Sequence, residues 1–365
     1  MTNEKKERRT ISRRNALKTL GVGALGVSSV GLASANSGED TVRIPTVKRG
    51  DEVLKWKEVP RSWHEHTQHS EQVREELIEQ HLDDPGIKSI ASARWDKRFS
   101  GKNGLLVEVE VDPETYKDTL PDSKGGIPVR TTEAPDLRLG DCCFHDDYDP
   151  VPGGVSVHTA NSGGSAGFRV NDPDGNERLL TANHLWDTCS DNTGKTLNQH
   201  TDEFGVVDSY DADTDYALVK PTSTEGIDNE VIVDGIRYRV SGYKTTSSIN
   251  DLISSGETCY DTGSTTCTTE GPIKANGLST PGFDCIDYEG AGIKADIVAG
   301  DGDSGGPIVS LDEFGGTQYA VIIAHFSLYD QDSTVSCHWG SGYKGSPIYG
   351  TAFNHLRDSH DLRLS

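Results

Sequence analysis

Beyond about Gly140 the apolar residues fall into short runs, each closed by Gly, Asn, Asp or Ser. The runs are "GGVSVHT", "AGFRVND", "RLLTANH", "EFGVVDSY", "DYALVK", "IRYRVSGY", "GPIVSL" and "QYAVIIAHFS". Runs of this length with turn residues between them predict strands, and so many in succession predict an antiparallel barrel or sandwich. A helical pattern returns only at the end, in "TAFNHLRD". The part before Gly140 reads differently. "SEQVREELIEQHL" predicts a helix capped by Ser70, with Val73, Leu77, Ile78 and Leu82 on one face. "GLLVEVEV" (104–111) and "GIPVRTT" (126–132) predict strands, and "PETYKDTL" between them predicts a short helix opened by Pro113. Together these make a small α/β unit. Residues 36–65 are polar, follow neither period, and read as a linker.

The first 35 residues stand apart. "TISRRNALKTLGVGALGVSSVGLASA" pairs Arg13 with Arg14, runs on through a mildly apolar stretch and ends in Ala33-Ser34-Ala35. It resembles a twin-arginine export signal, cut near Ala35. The apolar stretch falls short of the ~20 residues that span a bilayer, and Gly21, Gly23, Gly26 and Gly31 dilute it. The expectation is a protein exported already folded, secreted, and without a stable membrane anchor.

Charge narrows the partners. The 365 residues carry 58 acids against 35 bases, a net charge of −23. Residues 1–35 hold three Lys, four Arg and two Glu, a net of +5, so the remainder carries −28. Phosphate contacts need Lys and Arg, so the charge argues against nucleic acid and anionic membrane surfaces as partners. A surface this acidic suits a fold in high salt, where self-repulsion is screened. The alternative, a disordered chain, sits badly with 40 glycines and so many strand-like runs.

Candidate chemistry centres on "GDGDSGGPIV", residues 301–310. Serine is a weak nucleophile until a base takes its proton, and glycines let a backbone turn its N–H groups into a cavity. Ser304 is therefore the candidate nucleophile, with the N–H groups of Gly302 and Ser304 as its oxyanion hole. "LLTANHLW" sets His184 just after a strand, as base. "DTDYALVK" sets Asp215 at the head of another, as the acid that orients the imidazole. Either alone is ordinary: His184 could be a satisfied core histidine, and Asp211 and Asp213 compete with Asp215. The order of all three lifts them.

"TANHLW", "DYALV" and "GDSGGP", in that order, resemble the trypsin/chymotrypsin serine protease family, and more closely its bacterial secreted streptogrisin and glutamyl-endopeptidase types. The likeness covers roughly residues 150–365. It implies two packed six-stranded antiparallel β-barrels with a C-terminal helix, an all-β domain over 140–365, and cleavage of protein or peptide substrates through an acyl-enzyme. No cofactor and no metal are implied. It further implies that Asp303 is structural, in a buried ion pair, and that Val298 lies at the floor of the substrate pocket. Val298 is not an Asp, so a preference for Lys or Arg is not implied. His325 falls where glutamate-specific relatives carry a pocket histidine, which implies an acidic preference; the plainer alternative is a wall of an apolar pocket. Asn183 and Leu185 depart from the family's usual wording, which moves any cysteine partner to Cys189. Secreted relatives carry a pro-region, so 36–139 is expected to be one, or else an accessory domain.

Gly302-Asp303-Ser304-Gly305-Gly306 also satisfies the nucleophile-elbow pattern of α/β-hydrolases. Only 61 residues follow Ser304, little room for the acid and histidine that fold places after it. A catalytically silent binding module on the protease fold is the rival of another class. Seven cysteines in an exported chain suggest disulfides with one thiol over. Cys259 and Cys267 bracket a turn and read as a hairpin staple, Cys189 could join Cys142 or Cys143, and the family likeness implies Cys285–Cys337. His64, His66, His69 and His81 match no ligand spacing, and no pair of cysteines does.

Overall fold

The computed structural model describes residues 40–364 except 114, 118, 135–136, 139–142, 187–189, 223, 281–284, 332 and 338–339. Within them, two rings of six strands carry the site.

The first ring runs Ser156–His158, then Gly163–Ser165 continuing into Arg169–Asn171, then Glu177–Ala182, Tyr216–Pro221, Asp202–Asp211 and Thr196–Gln199. All its pairings are antiparallel, and the ring closes where Asn198 and Gln199 meet His158 and Val157. Alternation decides the inside: Leu179, Ala217, Val219, Leu197 and Phe204 are fully buried in its core.

The second ring runs Thr258–Gly263, Cys267–Ser279, Gly292–Ala295, Ile348–Ala352, Thr317–Asp330 and Pro307–Phe314, again antiparallel, and closes from Pro307–Phe314 back to Thr258–Gly263. Its core holds Ile273, Ile293, Ile308, Ile323, Phe326 and Ile348. A third cluster lies between the rings. Phe168, Leu180 and Leu218 of the first meet Val309 and Ile322 of the second, with Phe353 and Leu356 of the C-terminal helix Phe353–His360. Phe353 sits edge-on to Phe168 at 5.4 Å. At ~25 cal/mol per Å² of apolar surface, each fully buried aromatic here contributes a few kcal/mol to holding the rings together. Gly167 marks the closest approach: a Cβ there would lie 2.5 Å from the Leu180 carbonyl oxygen and 2.7 Å from that of Gly305.

Residues 40–133 join the second ring's sheet. Strand Thr41–Arg49 pairs with Glu52–Pro60 and with Ile236–Lys244; Ile87–Phe99 pairs with Lys102–Val111 and with Cys267–Ser279. Ile127–Glu133 runs parallel to Lys102–Val111. Ion pairs cross this seam: Lys57 and Lys102 to Asp251, Lys55 to Asp312, and Lys294 to Glu110 at 2.6 Å.

Several expectations change. Residues 36–65 are no linker over their described part: 41–49 and 52–60 form a hairpin whose charged, half-exposed strands hide the period-2 signal. The helix Arg61–His81 starts nine residues before Ser70, which is buried in mid-helix. Its early inner face is Trp63, His66, Thr67 and Ser70, a helical spacing written mostly in polar residue types. The described residues of 113–120 include a turn on the Asp112 carbonyl and no helix. A helix the sequence did not suggest spans Thr246–Ser255, capped by Thr245 and ended by Gly256 at φ 71°. The Cys259–Cys267 staple is absent: Cys267 bonds Cys143, with Cα atoms 5.3 Å apart, and Cys259 is a buried thiol. Cys285 is also disulfide-bonded. Cys142, Cys189 and the export segment lie outside the described residues.

Candidate active site

His184 and Asp215 are delivered by neighbouring strands. Ala182 pairs with Tyr216 at the end of that ladder. One step further, His184 sits on the 3-10 turn Asn183–Leu185 and Asp215 on the tight turn before Tyr216. His184 Nδ1 lies 2.7 Å from Asp215 Oδ2, and the His184 N–H donates to Oδ1 at 3.0 Å. Both side chains are buried. A carboxylate can only accept, so Nδ1 carries the proton and Nε2 presents its lone pair. Nε2 has no partner among the described residues. Asp215 holds φ at 54°, the left-handed region, which costs a non-glycine residue roughly 1 kcal/mol or more. The competing acids have other surroundings: Asp211 caps the N–H and hydroxyl of Thr214, and the Asp213 carboxylate lies within 4.8 Å of those of Asp287 and Glu289.

Ser304 comes from the other ring, on the loop between Ala299–Gly300 and Pro307–Phe314. The two rings meet at this loop. Ser165 N–H donates to the Ser304 carbonyl at 2.8 Å, and a Cβ at Gly305 would lie 2.8 Å from the Ala182 nitrogen, two residues from His184. Ser304 is 1 % exposed, and its Oγ donates to the Ser327 carbonyl at 3.5 Å, the limit of a hydrogen bond. The backbone N–H groups of Asp301, Asp303, Gly305 and Gly306 each reach a carbonyl, whereas those of Gly302 and Ser304 have no acceptor among the described residues. Gly302 sits at φ 103°, which needs glycine, and its own carbonyl is held by the hydroxyls of Ser165 and Ser264.

Among the described residues Asp303 shapes this loop without the implied ion pair. Its carboxylate accepts from the N–H groups of Thr265 (2.6 Å), Gly300 (2.7 Å) and Thr266 (3.1 Å) and from the Thr266 hydroxyl (2.8 Å). Burial pushes its carboxyl up to about 6 while those donors pull it down. Its titratable neighbour is another acid. Asp261 is fully buried, neither of its oxygens has a partner among the described residues, and burial followed by repulsion from Asp303 holds it well above the carboxylate range.

Of the two residues expected in the substrate pocket, one is exposed and the other buried. Val298 is 39 % exposed. His325 is fully buried, and its Nε2 meets the Asp215 carbonyl at 3.1 Å. Desolvation lowers its pKa to about 4 despite Asp215, so at neutral pH it carries no charge to offer an acidic side chain. His66, His69 and His81 have structural partners in Leu105, Gly125 and Asp84. Thr265, Thr266 and Thr351 were not singled out by the sequence; a threonine in a turn or strand carries no signal of what it will bond.

No family model matches the chain, and no match is found among curated proteins. Solved structures do match. A Nocardiopsis protease is 22 % identical over 59 % of this chain and 98 % of its own, with a TM-score of 0.40. Thermobifida fusca protease A is 20 % identical over 59 % and 97 %, also at 0.40. A Cellulomonas bogoriensis chymotrypsin is 21 % identical over 59 % and 98 %, again at 0.40. The strand pairings themselves define two antiparallel rings of six strands followed by a C-terminal helix.

Proposed function

We propose that this chain is a serine endopeptidase that cuts peptide bonds through an acyl-enzyme on Ser304. The observation that carries the reading is the buried His184–Asp215 bond, which fixes the imidazole tautomer and leaves Nε2 as a base two residues beyond the Ala182 backbone that abuts the Ser304 loop. Ser304 Oγ gives its proton to Nε2 and attacks the carbonyl carbon. The negative oxygen settles on the N–H groups of Gly302 and Ser304. The imidazolium, stabilised by Asp215, protonates the departing amine, and water then repeats the cycle to release the acid. Ser304 is closed off and turned to Ser327 here, so the first step includes a rotation of its hydroxyl onto Nε2.

The N-terminal part is consistent with a pro-region. The backbone of Leu137–Arg138 pairs with Tyr329 and Asp330, on the strand whose Ser327 carbonyl holds Ser304 Oγ. The export signal, the acidic surface and the peptide substrates complete the reading of a secreted protease, in which 36–139 is either removed or retained. A secreted species of roughly 36 kDa would mean retention, since only the signal would be missing from the 39.5 kDa chain.

A fluorophosphonate probe tests the core of the proposal. Wild type should be labelled and Ser304→Ala should not. Folded wild type that resists the probe in molar salt, yet still captures peptides, would establish the silent binding module instead.

A further inference from the structure

The turn that presents Asp215 is held by the opposite ring. Three consecutive carbonyls accept from groups outside their own barrel. Asp213 O takes the N–H groups of Asp287 (3.1 Å) and Tyr288 (2.9 Å). Thr214 O takes the Thr351 hydroxyl at 2.7 Å. Asp215 O takes His325 Nε2 at 3.1 Å, alongside Asn183 N–H from its own ring at 3.1 Å. His325 and Thr351 face each other in register on adjacent strands of the second ring, and both are fully buried. The 285–291 loop is tied to the same strand, since Ala352 N–H donates to the Ala291 carbonyl at 2.8 Å.

We infer that His325, Thr351 and the Asp287–Tyr288 backbone form a clamp from the second barrel that fixes the left-handed turn of Asp215, making His325 and Thr351 positioning residues rather than parts of the substrate pocket. The chemistry is unambiguous on donor sense: a carbonyl oxygen only accepts, so His325 Nε2 carries its proton. The left-handed φ of Asp215 stores strain that a surrounding structure must over-determine, and three consecutive carbonyl bonds from one rigid barrel do so. A clamp of this kind aligns the imidazole with the serine because the clamp and Ser304 belong to the same barrel. The inference rests on the proposed hydrolytic role of Asp215 and His184.

The test compares His325→Phe, His325→Gln, Thr351→Val and Thr351→Ser with wild type on paired peptides that differ in a Glu or a Leu before the scissile bond. Loss of the donor in His325→Phe should lower kcat by roughly 10–30-fold with KM within about 2-fold. His325→Gln, whose amide can donate to the same carbonyl, should recover to within about 3-fold of wild type. Thr351→Val should lose roughly 5–10-fold and Thr351→Ser should lose little. The Glu-to-Leu cleavage ratio should stay unchanged throughout. Wild-type kcat in folded His325→Phe, failure of Gln to rescue, or a shifted cleavage ratio would overturn the clamp. An independent readout is the low-field proton resonance between His184 Nδ1 and Asp215 Oδ2, expected in wild type and His325→Gln and weakened in the Phe and Val variants. Wild type unlabelled by fluorophosphonate would sink the protease reading, and the resonance would then decide the clamp alone: unchanged in the Phe/Val double variant, it would reject it.

Discussion

The two halves of the site are organised differently. His184 and Asp215 belong to one barrel, sit at the end of one antiparallel ladder, and are already bonded at 2.7 Å. Ser304 belongs to the other barrel and is parked on a carbonyl at 3.5 Å. The first half is built by strand pairing and held by donors of the second barrel on the Asp215 turn, the second by loop hydrogen bonds around Asp303 and by contact between the barrels. Pairing within a sheet is specified by alternation and register, and a slip of one residue would turn every side chain over. Contact between barrels depends on many small packing terms and on a few donors such as His325, Thr351 and Ser165. On the proposed mechanism the acid and base are thus preorganised, while the nucleophile must be brought to them.

Substitutions can break this contrast from either side. Removing the nucleophile has the largest effect: Ser304→Ala should lower kcat by about 10⁵-fold or more with the melting temperature nearly unchanged, as read by hydrolysis and calorimetry together. Asp215→Asn keeps the shape but removes the acceptor that fixes the tautomer, and should lower kcat by roughly 10⁴-fold. If it lost only a few fold, the preorganised half would not be the base-orienting device described. Asp303→Asn strikes the serine's half alone. An amide cannot accept all four of its donors, so a loss of roughly 2–3 kcal/mol in stability and about 10²-fold in kcat is expected, with the His184–Asp215 resonance retained.

Two smaller effects appear in pH profiles of unfolding. His325 stays neutral in the fold down to about 4, whereas in the unfolded chain it takes a proton below about 6.5. The unfolded state therefore binds more protons between those values, and stability is lost as pH falls through that window. His325→Gln lacks this slope, so the wild type should lose roughly 3 kcal/mol relative to it between pH 7 and pH 4 in denaturant titrations. Parallel profiles would contradict the burial of His325. Asp261 has the opposite sign. It keeps its proton in the fold while the unfolded chain ionises above 3.8, so the wild type is penalised as pH rises. Asp261→Asn should gain on the wild type from pH 4 upward, measured as a difference in unfolding midpoints; a constant difference would mean that Asp261 meets no such penalty.

The sequence by itself pointed to the triad candidates, through the order of three short motifs, and to most of the strands, because strand patterns are local. "GDSGGP" packs its glycines and serine into one loop, and the strands beside His184 and Asp215 alternate in a way that burial enforces. The C-terminal helix was legible for the same reason. Only the tertiary structure decided the partners of Asp303, the engagement of His325 with Asp215, the Cys143–Cys267 bond and the joining of residues 40–133 to the second barrel's sheet. These are meetings of residues far apart in the chain. A histidine reads the same whether it faces substrate or a carbonyl 110 residues away, and burial on the face of helix 61–81 was written in Trp, His, Thr and Ser rather than in aliphatics. Local pattern encodes which face is buried; what that face meets is settled only when the barrels pack.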